Sequence, residues 1–518
     1  MRVGVKGKAG VRVFSRTAEN ISTVTNSTSK DSKSDVFSYT SITLSTFEVL
    51  EPKETYNVND TLRILITARD TNNKLKSSKG DYFRVKLFSK ATKSSVGFDV
   101  SNYLGNGQYL AEATLKWPGY VQVFVRLVHP REAVHVLERI RDIVPGRVVF
   151  AGRFLGIGNG TKKLTEDVMC IPLVIREAIC NYTDERSGYP LYCVRPSNPG
   201  LSCEDWRLYT TDNTKSTKYT MGAITLKEQE YFSSHKKLLT SSRVVVKVVG
   251  DMTDWRNNLT RYEESLPGCQ PGQHLKNTIP SGFFHNDVWY SDQCRIRRFN
   301  AESTLACLSH KSVRIFGDST ARQFYIFFTS AHPSLKGNIP IDTTQSIVGP
   351  LIAKDLQNNI TMTFNFHGHP ARPSKFLRRD PVHYVVNRLN DLEVDDHTII
   401  LLSIGTHFTI YSLEMYERRM RDIKAAIKRL HAKSPNTLVV IKSANTREYA
   451  HIVHVLQNSE WYIKTIDEKM REIFADYPRV GFIDAWDVTV SQNFPDGVHP
   501  SPKVLRSLTD NFLSFICP

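Results

Sequence analysis

The chain has 518 residues, 40% hydrophobic and 23% charged, which is enough apolar material for two or three domain cores. No apolar run approaches the roughly 18 to 20 residues of a membrane span, and the composition is that of an ordinary globular chain. A formal charge of +16 and a pI near 9.3 direct it towards acidic partners.

Residues 1–38 are rich in Ser, Thr, Lys and Asn without apolar periodicity and read as a disordered or processed leader. Residues 39–149 read as an all-β domain. Short β-type runs at 61–68, 83–88, 109–115 and 120–127 are separated by turn signals at Asn72-Asn73, Gly105-Asn106-Gly107 and Pro118-Gly119. An immunoglobulin-like sandwich is the expected architecture, with no catalytic constellation in it. Residues 150–281 hold five cysteines, many Gly, Pro and Thr, and a strand at 243–249; a disulfide-held connector is expected, with no chemistry of its own. From residue 282 to 518 the pattern becomes α/β. Residues 313–316 read as a buried strand, continuous apolar runs at 398–404 and 437–441 suit buried parallel strands, and 480–483 reads as a further short strand. Between them, helices are predicted over 320–330, along Leu413, Tyr416, Met420, Ile423, Ile427 and Leu430, and over 460–475. Such a succession places ligands at the carboxyl edge of the sheet.

The eight cysteines, Cys170, Cys180, Cys193, Cys203, Cys269, Cys294, Cys307 and Cys517, contain no Cys-x-x-Cys, which argues against zinc and for disulfides formed in an oxidising compartment. Sequence does not give their connectivity, but the spacing from Cys170 to Cys203 suggests one or two local bridges. Seven sequons, at Asn20, Asn26, Asn59, Asn159, Asn181, Asn258 and Asn359, agree with passage through the secretory pathway. The first residues lack the apolar core of a signal peptide, so this reading expects a natural N-terminus upstream of the present one. The basic residues Lys76, Lys79, Arg295, Arg297, Arg298, Arg378, Arg379, Arg418 and Arg419 are dispersed, without a nucleic-acid recognition module. An acidic glycan is therefore the expected partner, and a merely soluble basic surface is the alternative.

Two motifs carry chemistry. Gly317-Asp318-Ser319 lies at a predicted strand-to-helix turn, where the serine hydroxyl projects above a sheet edge and its N–H joins a helix N-terminus that favours a developing oxyanion. Asp496-Gly497-Val498-His499 supplies a base for that hydroxyl, with Asp496 to fix the imidazole tautomer. Each motif alone also reads as a plain cap or turn.

The two motifs resemble blocks I and V of the SGNH (GDSL-like) hydrolases. The stretch Val288-Trp289-Tyr290-Ser291-Asp292-Gln293-Cys294, with Arg298-Phe299-Asn300, Cys307-Leu308 and Lys311, is similar to the PC-esterase branch. With the β-rich front half, residues 40–518 resemble the neurexophilin and PC-esterase domain family (NXPE). The resemblance implies a Ser319–His499–Asp496 triad and an O-acyltransferase, acetyl being the expected group, acting on secretory-pathway glycans such as sialic acid in the Golgi lumen or outside the cell. It implies acetyl-CoA as acyl donor and no tightly bound cofactor. Arg322 matches the family arginine and would steady the site or a substrate carboxylate, or else form a helix-face salt bridge. SGNH enzymes usually offer a Gly-x-Asn-Asp block; here the matching stretch is Gly405-Thr406-His407, without the Asn. The oxyanion candidates are Ser319, Gly368, Gly405 and Thr406, with His407 as a further donor. His367 and His369 read as a polar loop and not as a metal pair. Two alternatives stand beside the transferase: a glycan O-acetyl esterase, and a neurexophilin-like binding glycoprotein whose sandwich contacts a receptor and whose esterase-like domain is silent.

Overall fold

The computed structural model describes residues 38–143, 147–158, 160–172, 179–233, 238–239, 244–273, 280–449, 451–493 and 497–518. The leader expected at 1–38, and with it Asn20 and Asn26, falls almost wholly outside these residues, as do Asn159 and Asp496.

The first strands are β1 (Thr46–Val49), β2 (Tyr56–Asn57), β3 (Thr61–Thr67), β4 (Tyr82–Ser89), β5 (Ser94–Val100), β6 (Asn102–Gly105), β7 (Gln108–Thr114) and β8 (Gly119–His129). Strict alternation drives them: in β3, Leu62, Ile64 and Ile66 point inward while their neighbours face solvent. An antiparallel sheet of order β1-β3-β7-β6 packs these side chains against Val85, Leu87, Val121, Val123 and Val125 of a second sheet, giving a two-sheet sandwich around one core.

Helix α1 (Arg131–Ile143) leads to β9 (Phe150–Ile157), β10 (Lys163–Ile171), β11 (Ile179–Asn181), β12 (Tyr192–Val194) and β13 (Trp206–Thr211), then α2 (Asn213–Gly222) and α3 (Leu226–Glu230). The region expected as a disulfide-held connector contains a six-stranded sheet of order β11-β12-β10-β9-β13 closed by a strand from residues 377–378. Two disulfides, Cys170–Cys193 and Cys180–Cys203, hold its edge, the first across directly paired residues of β10 and β12. Backbone pairing, which a cysteine count does not reveal, organises this region.

The next elements return to the sandwich. β14 (Val244–Val249) pairs with β8, α4 (Met252–Ser265) follows, and β15 (Gly282–His285) with β16 (Val288–Ser291) extends the sheet beyond β5. The second sandwich sheet therefore runs β16-β15-β5-β4-β8-β14-β2. Residues 282–291, expected in the α/β domain, belong to this sheet, and the sandwich is not complete at residue 149.

The remainder comprises α5 (Ala301–Leu308), β17 (Ser312–Gly317), α6 (Ser319–Ala331), β18 (Lys336–Gly337), α7 (Thr343–Val348), β19 (Leu351–Asp355), β20 (Ile360–Phe366), β21 (Leu377–Arg378), α8 (Val385–Asp391), β22 (Thr398–Ser403), α9 (Leu413–Lys433), β23 (Leu438–Lys442), α10 (Ile452–Asn458), α11 (Glu460–Phe474), β24 (Gly481–Ile483), α12 (Ala485–Ser491) and α13 (Pro502–Ile516). Strands β20, β17, β22, β23 and β24 are adjacent and parallel, with β18 and β19 antiparallel at one edge. Every residue of β22 is buried, as expected for a strand covered on both faces. One core, with Phe324 and Phe328 of α6 against Phe512 of α13, fills one side; another, built on α9 and α11, fills the other. No helix among the described residues is long and apolar enough to cross a membrane.

All eight cysteines are paired, the other two bridges being Cys269–Cys294 and Cys307–Cys517. The sequons at Asn59, Asn181, Asn258 and Asn359 are all exposed. Both features fit folding in an oxidising compartment. The eight cysteines should resist alkylation until the protein is reduced, as read by intact mass. Replacing Cys307 and Cys517 together by serine, which opens a bridge spanning 210 residues, should cost roughly 5 kcal/mol by loop-closure entropy, measured by denaturant unfolding.

A second expectation concerns α12. Burial, reinforced by the neighbouring Asp484 carboxylate, pushes Asp487 up to about 8. The folded state then binds a proton that the unfolded chain has released above about pH 4, so this side chain lowers stability as pH rises towards 8. Asp487→Asn keeps an acceptor for the Ser281 N–H. Its stability advantage should grow between about pH 4 and 8 and then level off, at a few kcal/mol on the order set by about 1.4 kcal/mol per pKa unit; an advantage independent of pH in thermal melts would contradict this.

Candidate active site

Three neighbouring parallel strands end at one level. Gly317 of β17 is paired in register with Phe366 of β20 and with Ser403 of β22. Two residues beyond these ends lie Ser319, Gly368 and Gly405, so the expected oxyanion candidates follow three adjacent carboxyl ends at the same offset. The loops are tied together by backbone bonds: His367 N–H donates to Gly317 O (3.2 Å) and Asp318 N–H to Ser403 O (3.3 Å).

Asp318 caps α6. Its buried carboxylate accepts from Thr320 N–H (2.8 Å) and Thr320 Oγ1 (2.7 Å), which fixes the first turn. Ser319, half-buried, is the first residue of the helix, where its N–H has no intrahelical acceptor. Gly368 has φ +94°, and a Cβ there would lie 2.8 Å from His383 O. Gly405 caps a short 3₁₀ turn formed by Thr406, His407 and Phe408. The half-buried His407 ring lies 5.3 Å from that of Phe366 and 5.4 Å from that of His367. Burial lowers His407 to about 4, opposed by Asp318 and assisted by Arg372, so the imidazole is neutral at physiological pH. His367 is held below the ordinary histidine value by burial, and His369, stacked on Tyr189, is lowered to about 4 for the same reason.

His499 comes from the loop before α13, and its flanks are pinned from two directions. Asn445 Nδ2 donates to Val498 O (3.2 Å), and Gln323 Nε2 of α6 donates to Pro500 O (3.3 Å). The side chain is exposed yet within the field of the Ser319 turn. Desolvation by its surroundings lowers its pKa, the Asp318 carboxylate opposes this, and Arg322 and Arg447 lower it further. Among the described residues no hydrogen bond joins Ser319 to His499. Such contacts often tighten only once substrate is bound.

Cations crowd this edge. Arg322 donates twice from one nitrogen, to Ser346 O and Ile347 O at 2.9 Å each, so it anchors the end of α7, and among the described residues it makes no helix-face salt bridge. Arg372 is held by Asn458 Oδ1 (2.6 Å) and Gln457 Oε1 (2.8 Å), and burial lowers it to about 10. Lys442, closing β23, is buried and donates to Ser403 Oγ (3.4 Å), Ser443 O (2.9 Å) and Asn445 Oδ1 (3.5 Å). Burial brings it down to about 8 against the pull of Asp318 and Asp467. Lys442, Asn445, Gln323, Arg372 and Arg447 were not foreseen. The signal for Lys442 was a lysine terminating a continuous apolar run; the others are polar loop or helix residues without a local pattern.

Residues 289–517 match the family model for the NXPE family member 4-like, C-terminal domain. Among solved structures, the chain is similar to one described as "The active site of a carbohydrate esterase displays divergent catalytic and non-catalytic binding functions", at 8% identity over 91% of this chain and 94% of that chain, with a TM-score of 0.17. The matched residues carry Gly317-Asp318-Ser319 and His499, so this part of the chain is similar to the NXPE family member 4-like C-terminal domain.

Proposed function

We propose that this chain is a serine-dependent O-acyltransferase of SGNH type that moves an acetyl group onto a hydroxyl of a secretory-pathway glycan, with sialic acid as the acceptor class. The observation that carries the reading is Ser319 on the first turn of α6 at the carboxyl end of a central parallel strand, with His499 delivered to the same edge by the Asn445 and Gln323 contacts. His499 takes the Ser319 Oγ proton as Oγ bonds to the carbonyl carbon of a thioester donor such as acetyl-CoA. Collapse of the tetrahedral intermediate breaks the carbon–sulfur bond, and His499 returns the proton to the leaving thiolate. The sugar hydroxyl then repeats the sequence on the acyl-enzyme, giving its proton to His499, which passes it to Ser319 Oγ. Asp496 orients the imidazole. The oxyanion donors are the N–H groups of Ser319 and Gly368, with the Gly405–Thr406 turn or the neutral His407 ring in place of the family Asn. Arg322, Arg372 and Arg447 supply a positive field for an acidic acceptor.

Transfer wins over hydrolysis only where the acceptor is positioned and water limited. The second reading, a binding glycoprotein with a silent domain and a sandwich that contacts a receptor, is favoured by the missing Asn at Gly405-Thr406-His407. An O-acetyl esterase shares every residue of the first reading.

One experiment separates them. Wild type and Ser319→Ala are expressed in cells lacking sialate O-acetylation, released sialic acids are measured by mass spectrometry, and the proteins are exposed to a fluorophosphonate probe. We expect Ser319-dependent labelling and a Ser319-dependent gain of O-acetyl groups, with His499→Ala slowing turnover by several orders of magnitude. A Ser319-dependent loss in O-acetyl-rich cells marks an esterase; labelling that persists in Ser319→Ala rejects the nucleophile.

The pH profile carries a signed expectation. His499 must be neutral to accept a proton, and desolvation lowers its pKa. Activity should therefore fall on acidification with a midpoint below the ordinary histidine value of about 6.5. A midpoint above 7 would contradict the environment described for His499.

A further inference from the structure

We propose that the N-terminal sandwich is a positioning part of the catalytic centre: strands β4 and β5 hold the C-terminal end of α12, the helix from which the chain runs to His499. The inference rests on His499 being the base of the proposed reaction.

All seven residues of α12, AWDVTVS, are buried, although three of them are polar. A short helix of that composition disappears from solvent only if both its faces are covered. One face meets the loop after β23, where Trp486 N–H donates to Ser443 Oγ (3.0 Å) and Thr446 N–H to Thr489 Oγ1 (2.9 Å). The other face meets the sandwich. Gly97 lets the helix backbone approach, since a Cβ there would lie 2.7 Å from Val490 O and 2.9 Å from Val490 Cγ1.

The polar contacts concentrate on the last turn. β15 pairs with β5 only at Ser95, leaving the Gly97 backbone groups for another partner. Ser491 Oγ takes both roles, accepting from Gly97 N–H (3.0 Å) and donating to Gly97 O (3.3 Å). Ser95 Oγ donates to Ser491 O (2.5 Å), and Lys86 Nζ donates to Gln492 O. These carbonyls have no intrahelical donor, and a cation at a helix C-terminus is favoured by the macrodipole. At the other end, Arg84 of β4 pairs with Asp99 of β5 (2.8 Å) and with Glu460 of α11 (2.9 Å), while Trp486 Nε1 donates to Asp99 Oδ2 (3.3 Å).

His499 is flanked by two contacts, Asn445 on Val498 and Gln323 on Pro500, and the helix that precedes it in the chain is held by the sandwich at Ser491 and Gln492. The two flanking contacts come from the α/β domain. In this proposal the hold on that helix makes the geometry of the base depend on a domain that contributes no reacting atom.

The test uses the full chain with Lys86→Met, Ser95→Ala, the double variant, and Lys86→Arg. Three quantities are measured: thermal melting, hydrogen exchange of amides 497–501 against those of β22 and β23, and the rate of fluorophosphonate labelling at Ser319. We expect the double variant to exchange at least tenfold faster at 497–501 with β22 and β23 unchanged, and to label at least tenfold more slowly. Lys86→Arg should recover at least half of the wild-type labelling rate, because it keeps the cation at the helix end. Wild-type exchange at 497–501 in the double variant overturns the proposal, as does acceleration spread equally over β22 and β23. Should the double variant fail to fold, the two single variants are judged by the same criteria. If wild type itself is not labelled, the transferase reading fails, and the exchange measurement alone decides whether the sandwich holds the loop.

Discussion

Gly317 stands where three backbones meet. A Cβ at that position would lie 2.3 Å from Ser403 O and 2.6 Å from Ala321 Cβ, distances at which only hydrogen fits. This closeness lets β17 remain in parallel register with β22 to its last residue while α6 begins two residues later. A side chain at 317 would push the strand end from β22 or lift the helix, and either movement carries Ser319 away from the sheet. The adjoining loops are attached to the same point, because Gly317 O accepts from His367 N–H, and Ser403 O, which faces Gly317, accepts from Asp318 N–H. The spacing of Ser319, Gly368 and Gly405 is a consequence of that contact.

Electrostatics build on this frame. Asp318 is buried, engaged by Thr320, and felt by Arg322, His407, Lys442 and His499, each of which it draws towards its protonated form. Burial acts on all four in the opposite sense, and the outcomes differ with its strength. His407 is neutral, whereas Lys442, lowered only to about 8, remains mostly charged at neutral pH. The edge thus combines a neutral ring able to donate one hydrogen bond with fixed cations, a combination suited to a transient oxyanion. A carboxylate used as a helix cap thus also counters the effect of burial on four neighbouring groups, which separates Asp318 from an ordinary N-cap.

Sequence made local features legible and left partner choice hidden. The strand–turn–helix around Ser319 could be read because an apolar run, a capping Asp and a phenylalanine face are all contiguous; the helix predicted over 320–330 is α6, Ser319–Ala331. The parallel strands at 398–403 and 438–442 were visible as unbroken apolar runs. The destination of β14, β15 and β16 was not visible. A Val-rich run such as 244–249 reads as a strand, but not as one of a particular sheet, and the pairing of Val246 with Val121 spans more than a hundred residues. Arg322 gave the opposite difficulty. Its motif match suggested support of the site or of a substrate carboxylate, with a helix-face salt bridge as the alternative, while its actual acceptors are carbonyls of α7, which any sequence would supply. Asn445 and Gln323 act through single side-chain amides on backbone carbonyls, an interaction with no periodicity to detect.

The shared sheets also decide whether the front half can be regarded as a separate module. Three of the seven strands in the second sandwich sheet, β14, β15 and β16, come after residue 149, and β2 is joined to that sheet only through β14. A chain ending at residue 149 would leave β5 and β8 as unpaired edges and detach β2, the condition in which strands seek other partners. The six-stranded sheet has the same character in reverse, since it is built mainly from residues 150–211 and closed by β21 from the α/β part. Its core is filled in part by Phe366, Leu377, Ile410 and Tyr411 from that part. Arg147 fastens the junction by donating to the carbonyls of Ile140, Thr409, Ile410 and Leu456 while fully buried. A chain that leaves the sandwich, builds a second sheet and then returns to finish the first cannot transmit force to one part alone. The β4–β5 face holds α12 through Lys86, Ser95 and Gly97, and α12 in turn is bonded to the loop after β23.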